Sequence, residues 1–218
     1  MDARKYLAEV IGTFILVVVG SMSIVAANAM QVSVLLVAPF GFGFGLVAAI
    51  QATGHVSGGH YNPAVTFGAF LDRRIDAMNA AGYVVAQVVG AIAASAVVLL
   101  FSDQAAVRRT ANTFADGKTA VAIATEILLT AIFLLVILTV TKRAPSQASF
   151  AIPLTLVMIH FAGIPFSGAS VNPARSLAPA LVGGALDASI LVYFVGPLVG
   201  AAIGWAVYRA LDDGSVLD

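Results

Sequence analysis

Two copies of the tripeptide Asn-Pro-Ala, at 62–64 and 172–174, are the first residues in this 218-residue chain whose types and spacing imply a mechanism. Asn is a favoured helix N-cap, and Pro suits the first helical turn, where its missing N–H costs nothing. Asn62-Pro63-Ala64 and Asn172-Pro173-Ala174 therefore read as two helix starts, each followed by apolar residues. A single such tripeptide occurs by chance in roughly a few per cent of chains this long. Two copies set 110 residues apart need another explanation, because capping alone does not account for matched caps at equivalent positions. A cation, Arg175, directly follows the second copy. Two carboxylates, Glu9 and Glu126, stand inside long apolar runs and need donors, which loop backbone N–H groups can supply. They read as struts for the loops rather than as ion or proton sites. The chain has no cysteine, no cluster with metal-ligand spacing and no nucleophile paired with a base, so neither enzyme chemistry, a metal site nor a cofactor is expected.

The elements that hold these residues follow from composition. Hydrophobic residues make up 60% of the chain and charged residues 10%, with a mean hydropathy of +0.99, which belongs in a bilayer. Lys+Arg and Asp+Glu are equal at 11 each, so nothing suggests a nucleic-acid partner. Six stretches reach spanning length, at roughly 6–27, 32–53, 79–101, 119–141, 148–164 and 188–208. The first resembles a signal peptide ending at Ala27-Asn28-Ala29, but it is too long for one and has a counterpart in the second half. Two further apolar pieces, Val65–Leu71 and Leu177–Val182, are too short to cross, since a helix of ten residues covers ~15 Å of a ~30 Å hydrocarbon layer. They are expected to be re-entrant half-helices, a backbone tolerated at that depth only where protein buries it or it lines a watery cavity.

The halves repeat. Ser57-Gly58 matches Ser167-Gly168, and Gly90 matches Gly200, at the same offset of 110 as the tripeptides, while Glu9 with Thr13 matches Glu126 with Thr130 at 117. Three spans per half is an odd number, so the halves must insert with opposite topology and meet near the midplane. Gly82, Gly90, Gly196, Gly200 and Gly204 are expected at close helix contacts. Arg4, Lys5, Arg73, Arg74, Lys142, Arg143 and Arg209 fall on one side, against Arg108, Arg109 and Lys118 on the other, which makes both termini cytoplasmic. The tail, Leu211–Asp218, is expected to fray.

Ser-Gly-Gly-His-Tyr-Asn-Pro-Ala-Val (57–65) and Ser-Gly-Ala-Ser-Val-Asn-Pro-Ala-Arg-Ser (167–176) resemble the paired signature loops of the aquaporin, or major intrinsic protein, family, over nearly the whole chain. The bacterial water-specific members are the nearest in pattern. The resemblance implies an all-α membrane protein with six transmembrane helices and two re-entrant half-helices in an inverted repeat. It implies one pore per subunit of a homotetramer in the plasma (inner) membrane, and water as permeant. The chain then reads as one channel domain, 1–218, with repeats at about 4–101 and 119–209. On that architecture the half-helix N-termini meet at the midplane, each with about +0.5 of an elementary charge, and Asn62 and Asn172 donate hydrogen bonds to a passing water. Such a water cannot accept from its neighbours, so the proton wire is broken. The family's aromatic/arginine filter maps onto Phe42, His160, Ala169 through its carbonyl, and Arg175. His60 is expected to offer its backbone carbonyl to the pore, and no role is assigned to His55.

The nearest rival is a glycerol or small-solute facilitator, but such relatives usually carry Asp after the filter arginine and a small residue at the His160 position, where this chain has Ser176 and His160. Tyr193-Phe194 departs from the aromatic-Trp pair of many water-specific relatives. A coupled transporter would need acidic groups in the pore besides Glu9 and Glu126, and an adhesion role would need more surface than the loop at 102–118 offers.

Overall fold

In hydrocarbon, every backbone N–H and C=O must be satisfied without water, which a helix does within its own segment. The structure, a computed structural model, describes residues 2–212 and contains no strand among them. In chain order the helices are α1 (Ala3–Ala29), α2 (Val34–Ser57), α3 (Pro63–Leu71), α4 (Ala77–Phe101), α5 (Gln104–Arg109), α6 (Thr119–Arg143), α7 (Ala148–Ser167), α8 (Pro173–Val182) and α9 (Val192–Leu211). Six of these stretches, all but α3, α5 and α8, are long and apolar enough to cross a membrane. The expected fraying of the tail lies outside the described residues from 213 onward.

Both half-helices begin where the tripeptides mark them, at Pro63 and Pro173, each capped by its asparagine, and the second runs through Arg175 and Ser176 into the apolar piece. Two details depart from the sequence expectation. The fifth span continues through Pro165 to Ser167 and closes on Gly168, whose φ of 76° suits a residue without Cβ. Segment 102–118, expected as a plain loop, contains the short helix α5, capped by Asp103, whose carboxylate accepts from the Ala106 N–H at 2.7 Å. At the start of α4, Asp76 accepts from the Asn79 N–H at 2.9 Å, and this bond holds its carboxyl below the usual carboxylate range.

With lipid outside as apolar as the interior, close contact between helices depends on small residues. A Cβ at Gly90 would lie 2.3 Å from the Val10 carbonyl oxygen of α1, and one at Gly200 would lie 2.4 Å from the Ile127 carbonyl oxygen of α6. Both obstacles are backbone, so neither can swing aside. Gly90→Ala should therefore cost ~1–3 kcal/mol through forced separation of α1 and α4. Thermal unfolding in detergent should show a lowered midpoint for Gly90→Ala and none for Val85→Ala on the exposed face of the same helix.

Candidate functional site

The two re-entrant loops hang on the buried carboxylates. Glu9 accepts from the Ser57 hydroxyl (2.7 Å), the His60 N–H (3.0 Å) and the Tyr61 N–H (2.7 Å). Glu126 repeats the pattern with Ser167 (2.8 Å), Ser170 N–H (2.8 Å) and Val171 N–H (2.7 Å). Tyr61 and Val171, like Ala169, have positive φ, a conformation side chains rarely adopt. These hydrogen bonds hold the loops in it. Two residues missed in the sequence complete the brackets: the Tyr83 hydroxyl donates to the Ser57 carbonyl and the Tyr193 hydroxyl to the Ser167 carbonyl, both at 2.8 Å. They too stand 110 apart, and that offset could have found them. Tyr193, noted in the sequence only as part of a departure from type, is a bracket. Gln87 is a third addition, found in the first half alone, donating to Glu9 (2.7 Å) and the Thr66 hydroxyl (2.8 Å).

So supported, α3 and α8 meet at their N-termini. Asn62 Oδ1 accepts from the Ala64 N–H (2.8 Å), and Asn172 Oδ1 from the N–H groups of Ala174 (3.1 Å) and Arg175 (3.2 Å). Each amide nitrogen crosses to the other loop, Asn62 Nδ2 to the Val171 carbonyl (2.7 Å) and Asn172 Nδ2 to the Tyr61 carbonyl (3.0 Å). An amide NH2 has two protons, so each Asn keeps one donor beyond its cross-link. Both asparagines line a cavity of about 290 Å³, whereas Pro63, Ala64, Pro173 and Ala174 are buried behind them and do not line it.

Phe42, His160 and Arg175 line that cavity and also a second, outer one of about 160 Å³, so they form the partition between the two. The Phe42 and His160 rings are stacked at 4.9 Å, and the Arg175 guanidinium lies over Phe42 at 4.5 Å from its centroid. His160 Nδ1 stands 2.8 Å from the Leu156 carbonyl, which can only accept, so Nδ1 carries a proton and in the neutral ring Nε2 is an acceptor. Nε2 of His160 and Nε of Arg175 have no protein partner. The partition thus offers an acceptor from His160 and, with Nη1 bonded to protein, donors from Nε and Nη2 of Arg175. Ala169 is fully buried and lines neither cavity; its side chain faces Gly163 of α7, while Gly168 lines the outer cavity.

Asn112, in the 102–118 segment, was not foreseen. Its Nδ2 donates to the Gly168 carbonyl (2.8 Å), and its Oδ1 accepts from Arg175 Nη1 and from the Ser176 hydroxyl (2.7 Å). The Thr110 carbonyl accepts from the same Nη1 at 3.2 Å. No repeat partner marks Asn112 in the sequence. His60 lines the cavity, and its ring lies edge-on to Tyr83 with Nδ1 3.1 Å from the Thr66 hydroxyl. His55 lies apart, beside Asp2 and Arg4 at the end of α2. At the far end of the cavity Arg74 is tied to Asp72 (2.8 Å), the Leu138 carbonyl (2.9 Å) and Thr141 (2.6 Å). Among the described residues no group of His, Asp and Glu could hold a metal ion.

Six membrane-crossing helices around two half-helices, with a cavity that passes their joined N-termini, define a polytopic membrane channel. The chain belongs to the major intrinsic protein family, whose family model matches residues 1–208. It is 41% identical to Aquaporin Z of Rhodopseudomonas palustris over 226 aligned positions, covering 97% of this chain and 94% of that protein. It is also 40% identical to Glycerol uptake facilitator protein-like 6 of Lactiplantibacillus plantarum, covering 92% and 94%. Its fold matches that of the aquaglyceroporin from Plasmodium falciparum with a TM-score of 0.81 at 22% identity, over 97% of this chain and 96% of that one.

Proposed function

We propose that the chain is a passive water channel that excludes ions, protons and polyols. The observation that carries this reading is the partition of Phe42, His160 and Arg175 between the two cavities, whose stacked groups present an imidazole acceptor and guanidinium donors. A water molecule can donate to that acceptor and accept from those donors at once. The free amide protons of Asn62 and Asn172 would next bind the same water's oxygen, turning it so that it cannot relay a proton. Half-helix N-termini around that point repel cations. Glu9 and Glu126 act as loop supports, and Ala169 contributes no side chain to the passage. A glycerol pathway is the second reading, favoured by the names of a 40% identical relative and of the structural neighbour. The aromatic and imidazole rings at the partition weigh against it.

A homotetramer in the plasma (inner) membrane is part of the same proposal, and the charge placement supports cytoplasmic termini. Phe40, Phe44 and Phe161 pack on each other on the outward face of α2 and α7, an apolar surface for lipid or another subunit. Two measurements test the channel reading. Proteoliposomes should shrink under an impermeant osmolyte faster than empty vesicles, and equal rates would refute water conduction. Arg175→Val should admit protons or small cations, read by an internal pH dye, while water still passes, because the fixed charge opposes cation entry in a narrow low-dielectric passage. A folded, conducting variant with unchanged exclusion would assign that task to the half-helix dipoles alone.

A further inference from the structure

Behind α3, on the side away from the main cavity, lies a cleft between α4 and α9 with a volume of about 280 Å³. Its floor is Pro63, Pro173 and Ala174, the backs of both tripeptides, and its walls include Phe67, Val84 and Phe194. Thr66 is its one polar lining residue, and the Thr66 hydroxyl is already engaged with Gln87 and His60. α4 and α9 are membrane-crossing helices, so this cleft opens within the hydrocarbon. The half-helix α3 runs along it from the junction of the half-helices to the membrane surface, and its nine residues span ~14 Å, about the depth of one leaflet.

The cleft's end at the surface is not apolar. Phe70, near the C-terminus of α3, lines the cleft and also a polar cavity of about 500 Å³ that contains Lys5, Arg73, Arg74, Asp76 and Asn79. Arg74 is committed to Asp72, and Asp76 to its cap on Asn79. Lys5 and Arg73 enter no ion pair among the described residues. Three basic residues against the one carboxylate of Asp76 leave this cavity a positive surplus, and leaflet-deep apolar length joined to a basic surplus at headgroup level is the shape and charge pattern of one kind of molecule. We propose that the cleft between α4 and α9 binds one anionic phospholipid, an acyl chain lying along α3 and the phosphate held by Lys5 and Arg73. The chain then rests on Pro63 and Pro173, so the bound lipid supports the half-helix junction from behind. This assignment depends only on the chain's place in a bilayer and not on the permeant.

The test places a fluorophore in the cleft. Phe194→Trp in a Trp205→Phe background has one tryptophan, and dibrominated acyl chains quench it on contact. In phosphatidylcholine vesicles, brominated phosphatidylglycerol should quench at about thirtyfold lower mole fraction than brominated phosphatidylcholine, the preference expected of two basic residues at an anionic headgroup. Lys5→Gln with Arg73→Gln should erase the preference and leave quenching by either lipid at high mole fraction. Ala80→Phe, which fills the cleft, should abolish the high-affinity component. If Trp205→Phe does not fold, Leu198→Trp in the wild-type background provides the same readout after subtraction of the Trp205 signal. Equal quenching by the two lipids, or a preference that survives loss of both cations, overturns the proposal. Absence of quenching by any brominated chain also overturns it, and makes another protein surface the occupant.

Discussion

Glu126→Ala should fail to yield a folded channel. The carboxylate is the acceptor for the N–H groups of Ser170 and Val171 and for the Ser167 hydroxyl, all buried. A buried donor left without a partner costs ~1–3 kcal/mol, so three together approach the ~5–15 kcal/mol that holds a typical domain folded. Val171 is also held at positive φ, and without the carboxylate only the Asn62 amide on its carbonyl opposes its relaxation. Glu126→Gln should be intermediate, since its oxygen can serve one donor while its NH2 faces another. Yield of monodisperse protein and thermal unfolding in detergent are the readouts, with Glu9→Ala expected to behave alike. A Glu126→Ala protein that melts with the wild type would show that the loops close on their own.

The second large effect concerns solute size. Replacing both rings of the partition, Phe42→Ala with His160→Ala, should raise glycerol and urea permeability at least ~10-fold, the effect of a barrier lower by ~1.4 kcal/mol, and change water permeability much less. Water is not the molecule the rings reject. Phe44→Ala is the control, because Phe44 lies 62% exposed on the outer face of α2 while Phe42 is 1% exposed. Glycerol admitted by Phe44→Ala and still refused by the double variant would place the selective ring on the wrong face of α2.

How much of this is legible in the sequence depends on whether a residue is repeated. Glu9 and Glu126, the serines at 57 and 167 and both asparagines are legible because each recurs in the second half, the carboxylates at an offset of 117 and the others at 110. Tyr83 and Tyr193 obey the same offset, yet an aromatic in an apolar run resembles core and is easily passed over. Asn112 is not legible. It reaches Gly168 and Arg175 across 56 and 63 residues from an unrepeated segment, and no local pattern announces that contact. The face that Phe42 presents is also hidden in composition: two residues along a helix reverse direction, and with hydrocarbon outside, hydrophobicity gives no inside or outside signal. The start of α8 is legible in its cap and not in its hydrophobicity: the apolar run begins only at Leu177, whereas Asn172 opens the helix with Arg175 already in the first turn.

Selection of water over a polyol is the central claim, and parallel stopped-flow measurements on one preparation of proteoliposomes test it most directly. An impermeant osmolyte reports water flow, and a glycerol gradient of equal osmolality reports glycerol entry as reswelling after the initial shrinkage. The partition of Phe42, His160 and Arg175 predicts shrinkage far faster than in empty vesicles, with reswelling no faster than lipid alone allows. Glycerol entry comparable to water flow would contradict that account, and would mean that the stacked groups part to admit a larger solute.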